Sequence, residues 1–277
     1  PIINRIVAEI ENSLQEPGRS KFKGKVFAGV FPTGRFNAHA KKVPDESGYV
    51  FLLNVGLMQL IYDTAKILFS QARWAKFDSE GKPVSGSETG TPEINYDEAG
   101  GLLKDIIHRY LKFKKWTVPE YKLVIQDGPR NMILAKAVMA VEKFVLAHEF
   151  GHAILGHLDR NVHHLLEVPE IGRTVSVVNK DQKDEFAADL VGGILILQGL
   201  PKRIDDPQKA LSVQVAVAGS FLFFELAHLV EKAAKKVKYT THPPAQQRAQ
   251  MLEQLFKKHL PEQAFSLSKS LVGLLGS

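Results

Sequence analysis

The chain has 277 residues and not one cysteine. That excludes a disulfide framework and any thiolate-ligated zinc site, so a metal bound here has to use histidines and carboxylates. Charge of one sign is scarce as well. Thirty-six Lys and Arg against 30 Asp and Glu leave a net charge of +6. No groove-reading motif and no aromatic-basic platform accompanies that mild basicity, so nucleic-acid binding is not expected. The start, Pro1-Ile2-Ile3-Asn4-Arg5, lacks the basic and then apolar plan of a secretory leader, and a cytoplasmic location is expected. The most apolar stretch, 211–230, is interrupted by Gln214, Glu225 and His228. Such groups are costly in lipid, so the stretch is expected to be a core helix, with no transmembrane segment. No internal repeat is present. With 44% hydrophobic residues the chain is too apolar to be disordered and long enough for one sizeable core.

The few strand signals lie near the start. Lys25 to Phe31, Arg35 to Ala40 and Tyr49 to Val55 are expected to form a small antiparallel sheet, separated by Pro32-Thr33-Gly34 and the turn 45–48. A helix before them, at 2–15, and one from Gly56 show helical spacing. Residues 78–100 are rich in Gly, Ser, Pro, Thr and acids and predict a flexible polar loop. A helix at 101–113 and a short strand at 121–125 follow. The rest is nearly all helical: 131–157, then 181–198 stopped by Gly199 and Pro201, then a long helix opened by Asp206-Pro207, then one after Pro243-Pro244. The fold class expected is α+β and mostly helical.

One helix carries chemistry. His148-Glu149-Phe150-Gly151-His152 is H-E-x-x-H, and residues four apart lie one above the other on a helix, so both imidazoles can reach one metal ion. Glu149 sits about 100° around the axis from His148, within reach of a water at the metal without ligating it. The next helix offers Glu185 and Asp189, again four apart. A hydrolytic zinc site uses three protein ligands and one open position, and His148, His152 and Glu185 fit that count. A ligating imidazole also needs an acceptor for its other nitrogen, which Asp189 can supply. The small residues Ala187, Ala188, Gly192 and Gly193 would let the two helices approach closely. The third piece is Thr241-His242-Pro243-Pro244 with Arg248. A helix N-terminus after His242 would place His242 or Arg248 to stabilise an oxyanion. His157, His163 and His164 are expected to be loop or surface residues. Glu225 and His228 are expected to meet in the core.

This ordered set resembles the HtpX and CAAX-prenyl-protease family of zinc metallopeptidases, gluzincins whose third ligand is a glutamate. Phe36-Asn37-Ala38-His39-Ala40, and then 49–57, are similar to that family's edge strand and the strand that runs into its first helix. The resemblance implies a zincin-type helical core on which the small sheet packs. It implies one Zn²⁺ per chain on His148, His152 and Glu185. Glu149 would be the general base for the attacking water and then the proton donor to the leaving amine. Asn37, Ala38 and His39 would pair with an extended peptide substrate by strand addition. His242 and Arg248 match the family's substrate and oxyanion side. The membrane-bound members' transmembrane helices have no counterpart here, so the likeness is to the minimal, soluble branch. Residues 70–135 read as an insertion within a single peptidase domain spanning 1–277. A second likeness, to ImmA/IrrE-type regulatory metallopeptidases, leaves open a zinc protein that cleaves one partner or nothing.

Overall fold

Helical periodicity dominates the chain, and the strands that interrupt it are short. The computed structural model describes residues 2–16, 18–22, 24–43, 48–71, 74–77, 83–89, 94–119, 123–126, 128–158, 163–168, 173–178, 182–234 and 243–276. Helix α1 (Ile2–Ser13) buries Ile3, Ile6, Val7 and Ile10 on one face, as the spacing predicts. A single turn, α2 (Gly18–Lys21), leads to strands β1 (Lys25–Phe31), β2 (Ala38–Lys42) and β3 (Gly48–Asn54).

These three strands form a mixed sheet in the order β1-β3-β2, not the antiparallel sheet expected. β3 runs parallel to β1, from Lys25↔Gly48 to Phe31↔Asn54, and antiparallel to β2, from Ala38↔Leu53 to Lys42↔Tyr49. Burial decides the order. Tyr49, Phe51 and Leu53 of β3 are all buried, so the most apolar strand takes the centre and separates its two predecessors. β2 is left at an edge. It begins at Ala38 rather than Arg35, because Asn37 N donates to Arg35 O at 3.1 Å and folds the preceding residues into a turn.

Helix α3 (Val55–Gln71) leaves the end of β3 directly. Strands β4 (Trp74–Phe77) and β5 (Pro83–Thr89) then pair antiparallel, and α4 (Tyr96–Phe113) begins where Asn95 Oδ1 accepts from Glu98 N at 2.8 Å. The stretch 78–100, expected to be an irregular polar loop, thus contains a strand and the first turn of a helix. The strand expected at 121–125 is absent among the residues described there. Leu123 and Ile125 are buried with Val124 exposed between them, so the alternation is that of a strand, but no strand among the described residues pairs with it.

The chain continues with α5 (Gly128–Ile154), the hairpin β6 (His163–Val168) and β7 (Arg173–Val178), α6 (Gln182–Gln198), α7 (Pro207–Ala234), α8 (Ala245–His259), a 3₁₀ turn at Glu262–Phe265 and α9 (Ser266–Gly276). His163 and His164 therefore lie on a strand rather than in a loop. Asp206 caps α7 by accepting from Lys209 N at 2.8 Å, with Pro207 at the first helical position. By length and composition α7 could cross a membrane. In the fold it packs on α5, α8 and the 3₁₀ turn: Phe224 meets Phe144 at 5.3 Å, and Phe221 meets Phe256 at 6.0 Å and Phe265 at 6.4 Å.

The sheet fixes the rotation of α5. Phe150 lies edge-on to Phe51 of β3 at 4.9 Å and tilted against Phe22 at 5.1 Å, and Phe22 stacks on Tyr49. Phe150 is two residues, or about 200° of helix, from both His148 and His152. Anchoring the phenyl ring in the aromatic cluster under the sheet turns both imidazoles to the opposite face, toward α6.

Candidate metal centre

α5 and α6 cross at unusually close range. A Cβ on Gly151 would fall 2.6 Å from Ala188 O, and one on Gly192 would fall 3.0 Å from His148 N. Only glycine allows this approach, and it brings Glu185 and Asp189 of α6 against His148 and His152 of α5. Gly193, expected to serve the same crossing, faces α8 instead, where Leu252 and Leu255 crowd it.

Three ligand atoms converge there. His148 Nε2 is 3.1 Å from His152 Nε2 and 3.5 Å from Glu185 Oε2, and His152 Nε2 is 3.4 Å from Glu185 Oε1. Ligands about 2.0–2.1 Å from a tetrahedral zinc would stand about 3.3–3.4 Å apart, so the donor set has the size and composition of such a site. All three residues are buried, His152 and Glu185 completely. Glu149, the acid of the H-E-x-x-H motif, is 4% exposed.

The atoms behind the ligands decide which protons they carry. His148 Nδ1 lies 2.9 Å from Asp189 Oδ1, an acceptor, so Nδ1 holds the hydrogen and the Nε2 lone pair points at His152 and Glu185. Asp189 is clamped by Arg248 of α8, whose Nε and Nη2 donate to Oδ2 and Oδ1 at 2.6 and 2.7 Å. Burial raises the Asp189 carboxyl, but Arg248 and His148 outweigh it and hold the carboxyl below its ordinary range. Burial likewise lowers the His148 imidazole, but Asp189 and Glu185 overcome that and push it up to about 9. A cluster of acceptors aimed at one point attracts positive charge, which a divalent ion or a proton can supply. Arg248 Nη2 also stands 3.6 Å from Glu185 Oε2, and its guanidinium lies over the Phe224 ring at 5.2 Å.

His148, Glu149, His152, Glu185, Asp189 and Arg248, all expected in one site, are thus brought together. Asn37 and His39 are close to each other on the sheet edge, with Asn37 Nδ2 3.5 Å from His39 Nε2, and Ala38 opens β2, which packs against α5. His242 lies outside the described residues. His228 turns to Gln246 of α8, at 3.0 Å, and Glu231 of α7 accepts from Ala245 N at the start of α8. Two further residues, not among those expected in the site, lie behind His152. His157 is buried against His152, and Asp184 sits behind His157. A histidine five positions after His152 points away from it only if the helix continues, and α5 stops at Ile154.

A protein-family model described as Peptidase U49 matches residues 93–266, well over half of the chain. The chain belongs to the Peptidase U49 family. It is therefore a peptidase, and its substrates are peptides or proteins. All six residues of the buried cluster fall inside the matched span, and so does α4. The sheet with Asn37, Ala38 and His39 precedes it. Among curated proteins and solved structures, nothing matches the chain significantly.

Proposed function

We propose that this Peptidase U49 protein is a zinc-dependent endopeptidase of the gluzincin type its motifs resemble. The observation that carries the reading is the convergence of His148 Nε2, His152 Nε2 and the Glu185 carboxylate, all buried, within 3.1–3.5 Å of one another, with the buried Glu149 next to His148 on the same helix. Acceptors so arranged repel one another unless a cation sits between them, and two imidazoles with one carboxylate suit zinc. His148, His152 and Glu185 would hold the ion. Bound there, zinc would lower the pKa of a water and polarise the scissile carbonyl.

The chain's own residues supply the rest. Glu149 takes the proton of the attacking water and passes it to the leaving amine. Asp189 fixes the His148 imidazole, and Arg248 acts through Asp189 rather than on the substrate. β2, at the sheet edge, would take an extended substrate along Asn37, Ala38 and His39 as an added strand. His242 is assigned to the oxyanion side on its sequence motif. The test is Glu149→Gln with a peptide library and the purified protein. The reading expects zinc to be retained and hydrolysis to fall by at least about 10²–10⁴-fold, the usual worth of a general base. A variant that cleaves as fast as the parent would refute the assignment of Glu149.

A further inference from the structure

The two histidines of the metal centre each need a lone pair at Nε2, and so a hydrogen at Nδ1. Asp189 imposes this on His148. At His152 the atom opposite Nδ1, at 2.9 Å, is Nδ1 of another histidine, His157. The chain is folded to put it there. α5 ends at Ile154, and Gly156 adopts φ 71, a left-handed conformation that glycine enters without steric cost. His157 N then donates to His152 O at 2.9 Å, which brings the two rings to 5.1 Å, inclined by 60°. On its far side His157 Nε2 stands 3.2 Å from Asp184 Oδ1, in the first turn of α6 beside Glu185. His157 is 8% exposed, so its ring is held among these partners rather than in water.

We infer that His157 and Asp184 are positioning residues that fix the tautomer and orientation of the metal ligand His152, an inference that rests on the metal reading above. The assignment runs inward from the carboxylate. Asp184 can only accept, so His157 carries its hydrogen on Nε2. Its Nδ1 is then the acceptor, and the only hydrogen bond His152 can make to it is from Nδ1–H. That leaves the His152 Nε2 lone pair aimed at His148 and Glu185. With the opposite assignment at His157, His152 would carry its hydrogen on Nε2 and could not ligate. The relay also joins the end of α5 to the start of α6, so one set of bonds aims a ligand from each helix.

The test is zinc affinity by chelator competition on the full chain, for the parent, His157→Phe and His157→Asn. Phenylalanine keeps a ring but removes the acceptor, and asparagine places a carbonyl oxygen close to the Nδ1 position. His157→Phe is expected to weaken zinc binding about 10–100-fold, and His157→Asn to recover most of the loss. Affinities are compared on variants whose metal-free forms are shown to be folded by circular dichroism, because leaving the buried His152 Nδ1–H without an acceptor also lowers stability. Equal affinity for His157→Phe and the parent, or an asparagine variant as weak as the phenylalanine one, would overturn the inference. A parent chain that binds no zinc would overturn the metal reading and this inference together. Where His157→Phe does not fold, Asp184→Ala, at a side chain 18% exposed, tests the same relay from its outer end. A loss of affinity supports it, and unchanged affinity refutes it.

Discussion

His148 and His152 face the same point from successive turns of one helix, yet unlike structures hold them. The support of His148 is ionic and deep. Asp189 and Arg248 come from two further helices and are 0% and 7% exposed. The support of His152 is a second histidine from the turn that ends its own helix, backed by the less buried Asp184. The difference shows how one requirement, a lone pair at Nε2, can be tied to the fold or left separable from it. Desolvating Asp189 and Arg248 is costly, and their short charged hydrogen bonds offset it only while both are present. On the proposed metal reading, the ion pair would therefore couple metal binding to the docking of α6 and α8. The histidine relay buries less charge and adjusts the ligand without bearing much of the fold.

Substitutions can break that contrast. Asp189→Ala leaves Arg248 charged in the core, and we expect a loss of about 3–5 kcal/mol in urea unfolding of the metal-free protein, with zinc affinity falling as well. Replacing Asp189 and Arg248 together by apolar residues should cost less than Asp189→Ala alone, which a double-mutant cycle would show. Asp184→Ala, near the surface, should cost under about 1 kcal/mol while still weakening zinc binding.

A second buried carboxylate on α5 sharpens the comparison. Glu142 is 9% exposed, and burial alone pushes its carboxyl up to about 7, whereas Asp189, with its cation, is held down. The unfolded Glu142 loses its proton near 4.5 and the folded one near 7, so stability falls as pH rises through that window and then levels off. Glu142→Gln should be more stable than the parent by about 2–3 kcal/mol at about pH 8, the gain vanishing in acid as the parent's carboxyl becomes neutral. The contribution of Asp189 has the opposite sense: it is whole above its unfolded value of 3.8 and fades as pH drops through the lower folded value. Thermal melts across pH would separate the two. Gly151→Ala is expected to cost about 1–3 kcal/mol by overpacking and to loosen both histidine supports at once, because it forces α5 from α6. Chemical unfolding and zinc titration on the same variant would measure both effects.

Much of the site was legible because it is built from helix periodicity. The spacing of His148 with His152 and of Glu185 with Asp189 places each pair on one face whatever surrounds the helix, and the cap at Asp206 needs only its neighbours. What was not legible depends on contacts between distant segments. The parallel pairing of β1 with β3 puts a strand between two that are adjacent in sequence, and the burial of β3 settles it rather than any turn residue. The segment at 123–125 has strand-like alternation but pairs with no strand among the described residues. His157 looked misplaced for a role at the metal because the left-handed turn at Gly156, which folds it back, follows from a backbone conformation and not from a motif. Arg248 read as a substrate-side residue, and its two hydrogen bonds to Asp189 emerge only once α8 is docked on α6.

The most direct test of the central claim is the divalent metal content of the folded, purified chain, measured by elemental analysis alongside Glu185→Ala. The account predicts close to one zinc per chain in the parent and a large loss in the variant. A folded parent that carries no stoichiometric metal, and takes up none on titration with zinc, would contradict it.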